Sequence, residues 1–575
     1  MSKLEPIYQQ LCSPLASELL SIHPNDLAAS GFQLPGNWKG WWEWATSIDD
    51  ENTPYFPRWM SILHYYSATP DDQRTGNQVP SNKSSIPPDL KVLIDDTVRV
   101  QLSRDRISIG NTSESGNAHR SYGMSPKKEH EVSRMSGYID QLLCPGSTDT
   151  LNHVVDVGSG QGYLSRALQN LGFHVLALDS NEIQTSGAER WKAKEAARRQ
   201  KQFKRGKDAQ SLPDSQHHYN DPLFQSHVAT SVPSASTASK NIIHSRTGSL
   251  THQTICINPR TLESSIHDWL LSGEDNQIAG CTNMIGDLLV DRTERRTPEE
   301  KPVPVMMVAL HACGSLTPDV LRVFLSNYRR PSAPGIRIWT AQALVVVGCC
   351  YNLMVSEDFP LSRSLRERVP VATLPLASRH LAAQIPSQWL RNETSARETS
   401  LAIRKVVFRA LLQPVLQKIG ALEASANHTA TSSSYDVEEL RGVGQTQENR
   451  RLGKLPDAAY KDWETFLDRA TSKIGVRLDQ IATQLPVYIH DKHRRMQLES
   501  ALSVLHVLRC IMGPLIESLI LLDRHEWIRE ELSRSSETQE SSPMDVELVN
   551  LFDQATGSGR NVAIVIKPCE WPNMI

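Results

Sequence analysis

Residues 153–168, HVVDVGSGQGYLSRAL, decide the fold class. HVVDV is a short β-branched run of the kind that a central parallel strand buries on both faces, and LSRALQNLGF behind it has apolar residues at helical spacing and closes on a glycine. Between them Gly158, Gly160 and Gly162 form a strand-to-helix turn whose backbone can approach a ligand more closely than one carrying Cβ atoms. A second strand, FHVLAL (173–178), follows and ends in Asp179. That acid lies near the roughly 20-residue offset from Asp156 at which a carboxylate accepts hydrogen bonds from ribose hydroxyls.

Two cofactors suit a unit of this kind. A dinucleotide fold places G-x-G-x-x-G here so that the helix carries the pyrophosphate, whereas this chain reads G-x-G-x-G after Asp156. A carboxylate at that strand end repels a pyrophosphate and suits the ammonium group of a methionine moiety. S-adenosyl-L-methionine is therefore favoured over NAD, with Asp156, Gly158, Ser159, Gly160, Gly162, Asp179 and Ser180 as its candidate residues. A glycine-rich turn that holds no ligand is the competing reading, and the agreement of the loop with both acids weighs against it.

Further strands follow outward from this unit. Either TICINPRTLESSIHDWLL (254–271) is a strand then a helix, or NMIGDLLV (283–290) is the third strand, with Asp287 facing the adenine amino group; Asp287 and His311 complete the candidate cofactor set. VMMVALHACG (305–314) and ALVVVGCC (343–350) supply strands four and five. Strands alternating with helices predict an α/β fold with a doubly wound parallel sheet, whose ligands lie at the carboxyl ends of the strands. His311, Cys313, Cys349 and Cys350 should then lie on the cofactor face.

The chain of 575 residues is long enough for several domains, and its net charge of −3 confines any nucleic-acid contact to local patches. Its nine cysteines show no CxxC, and the N-terminus lacks the flank and core of a signal peptide, so reduced thiols in the cytoplasm or nucleus are expected. No apolar run is read as reaching the roughly 20 residues needed to cross a bilayer, and no membrane partner is expected. Stretches 67–88, 206–251, 424–448 and 533–544 are polar and read as linkers or disordered insertions. They divide the chain into an N-terminal helical segment (1–66), a strand-and-helix core (90–360), a mostly helical region (361–550) and a tail (551–575) whose NVAIVIKP returns to the sheet.

A set of motifs in one order extends this reading. MSPKKEHEV (124–132), VVDVGSGQGYLS, ALDSNE, LHACGSLTPD, VGCCYNLM with FPLS behind it, FRALLQ (408–413), RLGKLP (451–456), LLDRHEWIRE (521–530) and LFDQATGSGRNVAIVIKP (551–568) together resemble the methyltransferase-like protein 25 family. The resemblance implies a class I, seven-strand, Rossmann-like methyltransferase sheet that uses S-adenosylmethionine, here with an N-terminal helical segment and a large helical C-terminal insertion. It also implies that Asp156, Gly158, Gly160 and Gly162 line the methionine end, Asp179 the ribose, and His311 to Ser315 the floor beside the methyl group. Two stretches depart from the family pattern: Ser558-Gly559-Arg560-Asn561 has glycine in place of proline, and Leu381-Ala382-Ala383-Gln384 has alanine in place of cysteine. Neither is expected to touch the cofactor loop. The ends of strands four and five also resemble those of a group of transfer-RNA ribose methyltransferases.

The cysteines admit several chemistries. His311, Cys313, Cys349 and Cys350 have the count of a zinc centre, but neighbouring residues of an extended strand point to opposite faces and no C-x2-4-C loop wraps an ion, so no metal is expected. Cys313 stands where the pyrimidine C5-methyltransferases keep a nucleophilic thiolate, which would need a lowered pKa. The blander reading is that small residues let the strand ends pack tightly, with His311 or Asn352 positioning the acceptor atom. His311, Cys313 and Asn352 are the candidate catalytic residues. The absence of N/D-P-P-Y/F after strand four argues against methylation of an amino group on a base or a glutamine.

Outside the core, 191–208 holds eight basic residues against two acidic ones and reads as a solvated helix or an RNA contact. Lys127, Lys128 and His130 could face the cofactor pocket or solvent; Trp38, Trp41, Trp42 and Trp44 fit a helical core better than base stacking. Asp523 and Arg524 are expected to pair and anchor a helix over 495–532. RNA is the expected substrate and protein the second; a catalytically silent, cofactor-binding scaffold is the reading from another class.

Overall fold

The β-branched run at 153 forms β1 (His153–Val157), and the strands added on either side give one seven-stranded sheet. The protein is seen here as a computed structural model that describes residues 3–27, 32–47, 57–68, 86–109, 124–143, 151–188, 190, 248–278, 301–329, 337–368, 374–430, 452–475, 486–536 and 543–571. The other strands are β2 (His174–Asp179), β3 (Leu250–Thr254), β4 (Val303–Cys313), β5 (Trp339–Cys349), β6 (Met544–Asn550) and β7 (Val562–Pro568), in the order β3-β2-β1-β4-β5-β7-β6. β1 to β5 run parallel, and β7 lies antiparallel between β5 and β6. This is the class I methyltransferase sheet expected from the sequence.

Period-two alternation splits each central strand between two cores. Val155, Val157, Leu176, Leu178 and Met307 pack on one face, while Val154, Val175, Ala177, Met306 and Val308 pack on the other. The tail NVAIVIKP is in the sheet as predicted: all of β7 is buried, and the Lys567 ammonium in it is matched by Glu547 at 3.1 Å. The sheet resumes with β6 before residue 551, inside the stretch read as mostly helical.

The third strand corrects the sequence reading. It is Leu250–Thr254, so TICIN contributes only its first residue, and the polar stretch read as ending at 251 already contains the strand's start. Helix Pro259–Ile278 follows as expected. Asp287 and the basic stretch 191–208 lie outside the described residues. Helices Glu393–Ala430 and Gly513–Ser536 extend into the starts of two other stretches read as linkers.

The N-terminal segment is not a separate unit. Its side chains, among them Ile7, Leu19, Trp38, Trp41 and Ile62, share one core with Phe408, Leu411, Phe466, Val504, Leu508 and Leu515 of the region after β5. Trp38 and Trp41 are fully buried with ring centroids 4.9 Å apart, which is the packing role. The buried Arg509 guanidinium donates to the carbonyls of Leu19 (2.5 Å) and Leu20 (3.0 Å), tying the two parts together.

The single helix expected over 495–532 is two, Lys492–Ile511 and Gly513–Ser536. A Cβ at Gly513 would lie 2.2 Å from the Leu381 carbonyl oxygen, so glycine is what lets the two backbones touch. The stretch Lys492–Arg534 is, contrary to the sequence reading, long and apolar enough to cross a membrane, yet 94% of its most apolar window is buried in the protein. Asp523 and Arg524 are both buried but serve different partners. Asp523 accepts hydrogen bonds from the Leu361 amide (2.7 Å), the Ser362 amide (2.8 Å) and the Ser362 hydroxyl (2.6 Å), while Arg524 lies over the Tyr351 ring and donates to Met354 Sδ.

Replacing Asp523 by alanine leaves two buried amides without an acceptor, at roughly 1–3 kcal/mol each. Urea unfolding of Asp523→Ala should therefore show a loss of about 2–5 kcal/mol. An unchanged midpoint would mean that these bonds do not hold the region after β5 in place.

Candidate functional site

The glycine turn closes because Gly158, Gly160 and Gly162 all have left-handed backbones, at φ +75°, +54° and +65°. The amides of Gly158 and Ser159 both donate to the Leu178 carbonyl, at 2.8 and 2.9 Å, which lashes the turn to the end of β2. Asp179 is fixed by two further amides: Gly160 donates to Oδ2 and Asn181 to Oδ1, each at 2.8 Å. A Cβ at Gly162 would come within 2.8 Å of the His252 ring, whereas one at Gly160 would meet nothing within 4 Å. Gly160 therefore faces open space at the mouth of the turn. Beside it the Ser159 hydroxyl is buried with no hydrogen-bond partner among the described residues. Ser180 is exposed.

Asp156 is 2% exposed at the end of β1 and accepts a 2.5 Å hydrogen bond from the Ser165 hydroxyl. Burial pushes its carboxyl up to about 6 in spite of that bond.

A second polar group forms at the end of β4. His311 Nε2 lies 3.1 Å from Glu131 Oε2, and the buried Ser558 hydroxyl donates to Glu131 Oε1 at 2.7 Å. Lys127 and Lys128 approach the same carboxylate at 3.9 and 3.7 Å. Burial alone would raise the Glu131 carboxyl, but the bonds from His311 and Ser558 and the neighbouring charges outweigh it and hold the group at about 2. Glu131 is thus an ionised acceptor, and the His311 nitrogen facing it is the donor. Burial lowers the Lys128 pKa, partly offset by Glu131.

Glu131 is absent from the residues singled out by sequence, although MSPKKEHEV contains it; Lys127 and Lys128 stand four and three positions before it on helix Pro126–Leu142, a spacing that signals a shared face. His130 looks away, its Nε2 accepting from the Asp553 amide at 3.1 Å. The departure at 558–561 also enters the site, because Ser558 holds Glu131. It meets the other departure there: a Cβ at Gly559 would lie 3.5 Å from the Ala383 carbonyl and 2.9 Å from Ile385 Cδ1.

The strand ends bring His311 and Cys313 together and add two thiols. Cys313 and Cys349 are register partners on β4 and β5, with sulfurs 3.1 Å apart. Cys313 is exposed and the more acidic of the two: its hydrogen bond with Cys349 lowers its pKa, while that bond and burial raise the pKa of Cys349. The expectation that Cys349 and Cys350 point apart assumed an extended strand, but β5 ends at Cys349 and Cys350 has φ +49°. The three sulfurs lie within 4.8 Å of one another. Asn352 is exposed on the turn Tyr351–Leu353, and the Ser315 hydroxyl accepts from the Val355 amide at 3.1 Å, joining the loops after β4 and β5. A cavity of about 660 Å³ lies elsewhere, in the helical core beside His23, Arg409 and His506.

Comparison with known proteins agrees with this geometry. A family model described as a methyltransferase domain matches residues 127–357, a span that begins at Lys127 and includes the glycine turn, His311 and the cysteines. The chain is 23% identical to the probable methyltransferase-like protein 25 of Homo sapiens over 71% of its own length and 70% of that protein's. Against the probable methyltransferase-like protein 25 of Mus musculus the identity is 21%, over 71% of each chain. The family resemblance read from the motifs is borne out, and the chain carries a methyltransferase domain. No solved structure matches it.

The ionised state of Glu131 gives a pH signature. Its pKa is lower folded than unfolded, so the stability it adds is complete above about 4.5 and is lost as pH falls toward 2. The difference in unfolding free energy between the native chain and Glu131→Gln should shrink over that window. A difference that does not change between pH 5 and 2.5 would show that Glu131 is not held ionised by the fold.

Proposed function

We propose that this chain is an S-adenosyl-L-methionine-dependent methyltransferase whose acceptor is RNA. The observation that carries the first part is the buried Asp156 carboxylate beside a glycine turn that leaves Gly160 open and the Ser159 hydroxyl unpartnered. A buried acid poised near 6 calls for a cation, and the ammonium of a methionine moiety supplies one where a pyrophosphate would be repelled. Asp179 accepts one amide on each oxygen, which orients it and leaves lone pairs for ribose hydroxyls. These residues fit S-adenosylmethionine.

When bound, that cofactor supplies a methyl group on a sulfonium, and the transfer requires chiefly that the acceptor be held in line with it. His311 is placed for this by its bond to Glu131 and, through Ser558, by the loop before β7. Glu131 fixes the imidazole and is a positioning residue. The acceptor class follows from charge. Lys127 and Lys128 flank Glu131, and the Arg560 guanidinium acts electrostatically on Cys313, so the rim around His311 and Cys313 is cationic and suits a phosphodiester backbone.

Transfer of labelled methyl from S-adenosylmethionine to cell extract separated into RNA and protein tests the proposal. Label in RNA that falls at least about tenfold with His311→Ala is expected. Label in protein alone overturns the acceptor, and no label together with no binding of S-adenosylhomocysteine overturns the enzyme reading.

Cofactor affinity should also follow Asp156. S-adenosylhomocysteine should bind at full strength above about pH 6 and lose up to tenfold for each unit below it, as protonation removes the charge that meets the ammonium. Asp156→Asn should bind about 10–100-fold more weakly with a flat pH profile, as expected for loss of a charge-assisted bond. Calorimetry at pH 5 and 7.5 reads both, and equal affinities at the two values in the native chain would remove Asp156 from the site.

A further inference from the structure

We propose that Cys313, Cys349 and Cys350 form a three-sulfur binding site for a thiophilic metal ion, zinc or a similar soft cation, with a fourth coordination position open to solvent. The case for it rests on the backbone and sulfurs of the two strand ends, whichever acceptor or cofactor the chain takes.

Three features of the backbone converge to make it. The β4–β5 register sets Cys313 beside Cys349, and the Gly314 amide holds that register by donating to the Cys349 carbonyl at 2.9 Å. Cys350 then leaves the extended conformation at φ +49°, where among the described residues it is the sole residue other than glycine with a positive φ. A side chain with a Cβ is strained there, and such strain concentrates where a function requires the geometry. Its effect is to bring the Cys350 sulfur to the same side as the other two, all three lying within 4.8 Å of one another.

The dimensions suit an ion. Sulfurs bound tetrahedrally at about 2.3 Å from zinc lie about 3.8 Å apart. The Cys313–Cys349 pair, at 3.1 Å, would need to open by about 0.7 Å, within reach of side-chain rotation at two strand ends. Sulfur-only ligation selects soft cations over calcium or magnesium, and three protein ligands with one open place match reactive zinc sites, where closed structural ones have four. Cys313 is exposed, so an ion has a path in. A disulfide between Cys313 and Cys349 would use two thiols and would give no reason for the strained backbone at Cys350.

The test uses the full chain, fully reduced and freed of metal, titrated with cobalt(II) and then with zinc against a chromophoric chelator. One equivalent of cobalt should bind with a thiolate-to-cobalt charge-transfer absorption that zinc abolishes. Cys313→Ser and Cys349→Ser should each weaken zinc binding by about tenfold or more, equivalent to ~1.4 kcal/mol. Cys350→Gly controls for folding, since glycine adopts the left-handed turn freely: its melting temperature should equal or exceed that of the native chain while its zinc affinity falls by the same factor. The proposal is overturned if the reduced chain shows no charge-transfer band at stoichiometric cobalt. It is equally overturned if band and affinity survive in Cys350→Gly or in the variant lacking all three thiols, because other cysteines among the chain's nine would then be the ligands.

Discussion

The Asp523 carboxylate, taking two amides and a hydroxyl in a fully buried position, is the interaction on which the architecture turns. The chain leaves the sheet at Cys349 and returns only at Met544, with the helical region in between. Closing an excursion of that length costs on the order of 5 kcal/mol of chain entropy, and contacts near its two ends offset the cost most directly. Asp523 provides them: Leu361 and Ser362 lie soon after β5, and the helix carrying Asp523 leads into β6. Glu517, earlier on that helix, accepts from the Tyr351 hydroxyl at 3.0 Å and pairs with Arg104 at 2.7 Å, so the chain entering the sheet domain is tied to the same helix.

Closure at that point also completes the site. β7 can slot between β5 and β6 only if the chain arrives at the free edge of β5, and the loop before β7 is what brings Ser558 to Glu131. The two departures from the family pattern belong to this arrangement. Glycine at 559 lets the loop pass close to Ile385 and to the Ala383 backbone carbonyl, which brings the two stretches together. The helical region therefore acts on the site by delivering a loop to it. Its own cavity lies apart from the strand ends.

How much of this was legible in the sequence follows from how local each signal is. Strand β1, the glycine turn and Asp179 could be read because their signals, β-branching and glycine spacing, sit within a few residues of one another. β3 escaped because it is an edge strand with one buried residue in five, and LTHQT has the polarity of a linker. The joint core of the N-terminal helices and the region after β5 was hidden for another reason: amphipathic helices declare that a face is buried but not against which partner. Glu131 was lost among the charges of PKKEHE, where an acid in the first turns of a helix reads as solvated. At Cys350 the decisive fact is a backbone angle, and cysteine gives no sign of a left-handed turn as glycine would.

The two buried acids of the site show how environment divides one chemistry into two roles. Glu131 and Asp156 are equally buried at 2% exposure, yet the first is held near 2 and the second near 6. Their partners make the difference: Glu131 receives His311 and Ser558 with two lysines close by, whereas Asp156 receives Ser165, is raised by the like charge of Asp179 and feels Lys128 only as a weaker opposing charge. Acids whose environments push them apart in this way take different tasks. Glu131 is already compensated by the protein and can only hold its neighbours in place. Asp156 carries an uncompensated desolvation cost, and a cationic ligand at the glycine turn would relieve it. On the proposed reading, part of the affinity for the cofactor is stored in the apo protein as the strain of that carboxylate, and it is released when the ammonium arrives.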